Sequence, residues 1–171
     1  MLKKSKKLWF LVLVLVLALA LAALAASVSV PALSGVSPSP DAAAEVCGVS
    51  MTLVAGGTDA DGITVCIENT ADSTVHFGED DYALEYCLLG KWYRVTPRKN
   101  ATFELCGIML RGIGQTELTF CPSEIYASLP RGKYRIVKEF CFPTKYTDET
   151  TGEAFALYED PFYLCCEFVI E

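Results

Sequence analysis

Histidine is almost absent from this chain, and the spacings that would give its cysteines a chemical role are missing too. His76 is the single histidine among 171 residues, and no two cysteines are separated by two residues. A Ser or Cys nucleophile needs an adjacent base and an orienting group, so the sequence predicts no catalytic site and no enzyme. Without a C-x-x-C pair it also predicts neither a zinc site nor a thiol-redox site. We therefore expect no metal and no cofactor.

Calcium-binding loops are incomplete as well. Asp59–Gly62 resembles the first half of such a loop but lacks the distal Glu and the full frame. Glu79–Asp81 forms a second acidic cluster. We interpret the two segments as a hairpin turn and a solvated loop, and a weak calcium site would require them to meet in space.

Positive charge is scarce beyond the first seven residues. From Glu45 onward the chain has 20 acidic against 10 basic residues, a net charge of −10. An acidic body argues against nucleic acid or an anionic membrane surface as the main partner.

The N-terminus has the form of a targeting segment. Four of the first seven residues are lysines, and 19 uncharged residues follow, from Leu8 to Ala26. The run is long for the apolar core of a signal peptide, about 7–15 residues, and just long enough for an anchor, about 20 residues. Cleavage near Ala25 or Ala32 and a retained anchor both remain open for residues 1–26. Either way the lysines stay in the cytoplasm and the rest of the chain is exported, secreted or held at the outer face of the cytoplasmic membrane, which it contacts only through this segment.

Residues 27–46 are rich in Ser, Pro and Ala and lack hydrophobic periodicity. Such a composition buries too little apolar surface to offset the entropy of ordering, so it predicts an extended linker. The domain proper is then predicted over 47–171.

The body of the chain has the period-two alternation of β-strands. Ile63, Val65 and Ile67 alternate with polar or small residues, and turn residues recur at short intervals. The predicted strands are Cys47–Ala55, Ile63–Asn69, Tyr82–Leu89, Lys91–Thr96, Ala101–Leu110, Gln115–Cys121, Lys133–Cys141 and Phe162–Ile170. This pattern predicts an all-β fold, an antiparallel sandwich of about seven strands, with a small closed barrel as the alternative.

One local motif sharpens the fold prediction. Residues 129–136 place a turn, Gly132, Tyr134 and the apolar Ile136 at the spacing of a tyrosine corner. In such a corner the Tyr hydroxyl hydrogen-bonds to the backbone of the turn that enters the penultimate strand. The alternative is an ordinary tight turn followed by a strand that carries a Tyr.

Together with this corner, two further segments resemble the bacterial immunoglobulin-like (Big) domain family. They are Gly90–Val95, which carries Trp92, and Glu167–Ile170. The resemblance covers 47–171 and implies an immunoglobulin-like sandwich in an exported bacterial protein. Its motifs are structural and say almost nothing about activity. The chain departs from the family pattern in its eight cysteines and in the segment Phe142–Pro161.

Export makes disulfides possible for the eight cysteines. Cys66 with Cys121, and Cys141 with Cys165, fall on outward faces of strands that we expect to be neighbours, so we predict two candidate bonds. Cys166 is expected to face the core. The alternative is that the cysteines are free thiols that fill strand positions.

We expect a non-enzymatic, exported interaction or adhesion module for an unidentified protein or cell-wall partner. The predicted contact loop is Phe142–Pro161, with Tyr146, Phe155 and Tyr158. The alternatives are an immunoglobulin-like protease inhibitor and a structural subunit that assembles through strand edges.

Overall fold

The computed structural model describes residues 9, 12–18, 30–34, 41–54, 62–102, 106–127, 129–147, 154–157 and 160–171. The chain divides into two compact units, Met1–Val30 and Pro31–Glu171. In the first unit, Trp9 and residues 12–18 are helical. Among the described residues no helix combines the length and apolarity that a membrane crossing requires. Most of the predicted targeting segment, 1–26, lies outside the described residues.

The second unit is built from strands and one short helix, Pro122–Ile125. The strands are β1 (Glu45–Val46), β2 (Val49–Leu53), β3 (Ile63–Asn69), β4 (Val75–Gly78), β5 (Ala83–Leu88), β6 (Lys91–Arg94), β7 (Gly107–Leu110), β8 (Gly114–Phe120), β9 (Gly132–Cys141), β10 (Thr144–Thr147), β11 (Ala154–Leu157) and β12 (Phe162–Ile170).

Ten of these strands form the two sheets of an all-β sandwich. The first sheet has the order β1-β2-β3-β8, and the second contains β6-β5-β9-β4-β7, with β12 on the other edge of β9. Strands β10 and β11 pair only with each other in a separate hairpin. The prediction of about seven strands was low because it missed β1 and β4. β4 and β5 pair with the same edge of β9, where they act as two short strands in succession.

The core lies between the two sheets and follows the predicted alternation. Ile63, Val65 and Ile67 are fully buried on β3, and residues between them are partly exposed. On β9 the core-facing residues include Tyr134, Ile136 and Phe140. A strand pattern of period two places all of these side chains on one face, where their burial stabilises the sandwich.

The turn before β9 is closed by Tyr134. Its hydroxyl donates a hydrogen bond of 2.6 Å to the Pro130 carbonyl oxygen. Gly132 has φ +156°, and a Cβ there would come within 2.5 Å of Cε2 of Tyr86. The rings of Tyr86 and Tyr134 meet edge to face at 5.1 Å. Only glycine therefore fits at this corner.

The described parts of the predicted linker pair with the sandwich. Leu33 bridges to Val95 beside β6, and Ala43 bridges in parallel to Leu164 of β12. Residues 45–46 form β1, the edge strand of the first sheet. We call 31–34 and 41–46 the N-terminal arm. The compact unit that contains the sandwich starts at Pro31 and so includes the arm, because backbone hydrogen bonds to sheet edges need no hydrophobic periodicity.

Candidate interaction surface

A buried asparagine holds two loops together at one end of the sandwich. Asn69 is fully buried at the end of β3. Its side-chain amide donates to the carbonyl oxygens of Ser73, at 2.7 Å, and Gly112, at 2.9 Å. Its Oδ1 accepts from the Ala71 amide at 3.1 Å. One side chain therefore fixes the loop 70–74 against the loop 111–113.

The second of these loops carries an exposed apolar residue. Ile113 is 75% exposed, between Gly112 at φ +65° and Gly114. Met109, on the neighbouring strand β7, is 48% exposed. The turn that Asn69 fixes therefore presents an exposed isoleucine to the solvent.

The β10–β11 hairpin begins at the same end of the sandwich. Val75 pairs with Leu110, and His76 pairs with Cys141, so the start of β4 and the ends of β7 and β9 lie side by side. The loops 70–74 and 111–113 and the segment after Cys141 therefore leave the sheet together. We call these three segments the loop end.

The predicted contact loop is not a plain connection, because β10 and β11 form an antiparallel hairpin within it. Tyr146 and Phe155 are register partners in this hairpin. Tyr158 lies outside the described residues. The sequence missed the hairpin because its strands are four residues each, too short for alternation to be distinctive.

The structure does not bring the predicted cysteine pairs together. Cys66 lies opposite Glu117, and Cys165 lies opposite Val137. Cys121 is four residues beyond Glu117, and Cys141 is four residues beyond Val137. Each offset corresponds to about 13 Å along a strand, far beyond the Cα separation that a disulfide allows. The strand neighbours were predicted correctly, but the observed register sets both cysteine pairs too far apart to bond.

All eight cysteines are free thiols in the described chain. Burial raises the pKa of the Cys66, Cys141 and Cys165 thiols, and raises that of Cys166 to about 11. Cys166 packs in the core, as its position predicts. Protonated thiols are poor nucleophiles, so these four residues fit a packing role.

Cys141 lies beside the single histidine. Its sulfur is 3.8 Å from Nδ1 of His76. A thiol activated by this histidine would have a depressed pKa, whereas burial raises that of Cys141. Within the described ranges no three His, Cys, Asp or Glu side chains lie close enough to hold a metal ion.

The outer face of the second sheet carries alternating charge. Arg94, Glu85, Arg135 and Glu167 are register partners across β6, β5, β9 and β12. Glu85 is fully buried and accepts a hydrogen bond of 2.7 Å from Nε of Arg135. The guanidinium of Arg135 also lies 4.7 Å from the centre of the Trp92 ring, and Lys133 lies 5.4 Å from it. Trp92 thus supports the cationic side chains of β9.

A buried lysine anchors the loop that connects β4 to β5. Lys138 donates hydrogen bonds to the Asp81 carbonyl oxygen at 2.6 Å and to Asp81 Oδ1 at 2.9 Å. A third bond reaches the Glu79 carbonyl oxygen at 3.4 Å. Burial lowers the pKa of Lys138, and the hydrogen bond to Asp81 opposes this shift. The acidic cluster Glu79–Asp81 is therefore partly neutralised from inside the protein.

No sequence pattern indicated a role for Asn69 or Ile113. Asn69 ends a strand, and Ile113 lies between two glycines, which are the only sequence signals they give. The contact between Asn69 and Gly112 spans 43 residues, so no local pattern could have revealed it.

The chain matches the model of a known protein family. A family model described as a bacterial Ig-like domain matches residues 46–155, more than half of the chain. The match confirms the resemblance carried by the segment around Trp92 and by the tyrosine corner. A search of the curated proteins found no match.

Proposed function

The chain belongs to the bacterial Ig-like domain family, and on this premise we propose that it is an exported, non-enzymatic interaction module that binds a protein partner through its loop end. Domains of this family are typically non-catalytic and are often found outside the cell. The basic N-terminus followed by an apolar run supports secretion or anchoring at the outer face of the membrane.

The observation that carries the proposal is the clamp formed by Asn69. Loops that must order on binding lose affinity to conformational entropy, whereas loops already fixed by buried hydrogen bonds avoid much of that loss. The clamp fixes the turn beside Ile113, a side chain that is 75% exposed. A preordered turn with an exposed apolar tip supports protein recognition.

Assembly through strand edges has less support. The N-terminal arm already occupies an edge position at Val95 and another at Leu164. These lie on opposite edges of the second sheet, so a strand that adds at either position would have to displace the arm, whereas among the described residues the edges at β7 and β8 carry no arm pairing. A protease inhibitor would also use loops at one end of a sandwich, and inhibition assays on Cys and Ser proteases distinguish it from an adhesion module.

The test compares three forms of the full chain in capture from bacterial and host surface extracts. The wild type is expected to retain one or more specific proteins. Ile113→Glu places a charge at the centre of the proposed contact and is expected to reduce their recovery about tenfold or more. Recovery is quantified by mass spectrometry of the bound fraction.

The matched control is Val169→Glu. Val169 is 51% exposed on β12 and pairs with Lys133 at the start of β9, at the end away from Cys141. It should leave capture unchanged. If Ile113→Glu retains the same proteins as the wild type and as Val169→Glu, the loop end is not the contact surface. A third variant, which lacks the β10–β11 hairpin, tests how much the hairpin contributes to partner binding.

A further inference from the structure

A cavity opens on the outer face of the second sheet, and no described residue of the loop end lines it. Strand register explains its origin. Ala83, Val137 and Cys165 form one row of small side chains across β5, β9 and β12. Longer side chains flank this row on both sides, and the sheet surface is therefore lowest along Ala83 and Val137.

The charged residues of the two flanking rows that line the cavity, Arg94 and Glu139, are of opposite sign. Arg94 belongs to the row that contains Glu85 and Arg135, two residues along from Ala83. Glu139 and Tyr163 are register partners in the row on the other side. Two steps of two residues separate the rows by about 13 Å at the backbone. The cavity between them has a volume of about 290 Å³, and Asp81 also lines it.

The acidic side of the cavity is held in place by hydrogen bonds. The Tyr163 hydroxyl donates to Oε2 of Glu139 at 2.9 Å, and Lys138 donates to Oδ1 of Asp81 at 2.9 Å. Each bond leaves the second carboxylate oxygen available as an acceptor. Both carboxylates therefore face the cavity with their positions fixed but their charge not fully paired.

The basic side has one guanidinium. Among the ion pairs of the described residues, none involves Arg94. The hydrogen bond to Glu139 raises the pKa of the Tyr163 hydroxyl, and the charge of Arg94 opposes that shift. The guanidinium therefore lies within electrostatic reach of the acidic side, with the apolar floor between.

We propose that this cavity binds a small zwitterion of amino-acid or dipeptide size. Its carboxylate would pair with Arg94, its ammonium group with Glu139 and Asp81, and a small side chain would cover Ala83 and Val137. A simple anion would meet two carboxylates, and a simple cation would meet Arg94, so only a ligand that carries both charges satisfies both sides. The site is independent of the loop end, and the two proposals can fail separately.

The test titrates the full chain with L-alanyl-L-alanine and follows binding by calorimetry or ligand-observed NMR. Acetylation of its amine or amidation of its carboxylate should each weaken binding about fivefold or more, because each removes one charge-assisted contact. Free L-alanine distinguishes an amino-acid site from a dipeptide site, since only the dipeptide should span the floor if the latter holds.

Arg94→Gln and Glu139→Gln should each weaken binding of the uncapped dipeptide by a similar factor. Arg98→Gln and Glu45→Gln are the matched controls, because both residues are exposed and neither lines the cavity. No binding at about 10 mM dipeptide, the weakest range expected for so small a ligand, would overturn the proposal. So would equal affinity for the dipeptide and its two capped forms.

Discussion

Within the described residues the hydroxyl of Tyr134 makes one hydrogen bond, to the Pro130 carbonyl oxygen, and Tyr134→Phe removes that bond. We expect the free energy of unfolding to fall by about 1–2 kcal/mol, because the partly buried carbonyl loses its partner while the ring still packs. Urea unfolding measures the change. Tyr93→Phe, on β6, should shift the midpoint little, since its hydroxyl has no hydrogen bond within the described residues. Equal shifts in the two variants would show that loss of the hydrogen bond to Pro130 is not the cause of the destabilisation.

The Cys166 thiol makes the free energy of unfolding depend on pH in the alkaline range. Burial raises the pKa of its thiol from 9.0 to about 11. Between these values the unfolded chain loses this proton while the folded chain keeps it, so the free energy of unfolding falls as pH rises from 9 to 11. Cys166→Ala should flatten this slope, and Cys47→Ser, at an exposed position, should leave it as in the wild type. Urea unfolding at several pH values measures the slopes, and unchanged slope in Cys166→Ala would contradict the link.

Single positions also show how far the sequence can be interpreted. The period of two predicted that Cys165 and Cys166 point to opposite faces, and that Ile136 lies in the core, because alternation is a local property of a strand. It could not predict that Cys66 lies opposite Glu117 instead of Cys121. Register depends on the whole packed face and on the intervening turns.

At the scale of elements, we expect the N-terminal arm to stabilise the sandwich, although its composition predicts an extended linker. Pro31 is buried, and Leu33 and Val46 pack against the core. A chain that begins at residue 47 should therefore unfold at lower urea concentration than one that begins at residue 31. The expected difference in the free energy of unfolding is about 2–4 kcal/mol, from the apolar burial that is lost.

The control for this truncation is the full chain. The two compact units divide between Val30 and Pro31, so the chain that begins at residue 31 should unfold with the same midpoint as the full chain. If the chain that begins at residue 47 also matches that midpoint, the arm does not stabilise the sandwich.

Long strands were predictable and short ones were not. β3, β9 and β12 have seven, ten and nine residues, enough for alternation to specify their type and buried face. β1 and β4 have two and four residues and owe their conformation to the strands beside them. Tertiary pairing decides such segments, so the β4–β5 loop held by Lys138 and the pairing of the arm are seen only in the structure.

At the scale of the whole molecule, the sandwich architecture followed from the number and spacing of strands, and the corner at Tyr134 narrowed it further. The candidate sites did not follow. The loop end depends on Asn69 reaching Gly112, and the cavity depends on the offset between β6 and β12. Both arise where segments distant in sequence meet, so no pattern along a single strand predicts them.

The pairing of Ala43 with Leu164 also sets an order of events. The Cys165 thiol donates a hydrogen bond to the Ala42 carbonyl oxygen across 123 residues, so residues 42–43 of the arm can dock only after nearly the whole chain has been made. At a synthesis rate of about 5–20 residues per second, that interval is on the order of ten seconds. Residues 42–43 are therefore made early but pair late, and completion of the sheet edge at β12 becomes a late step of folding.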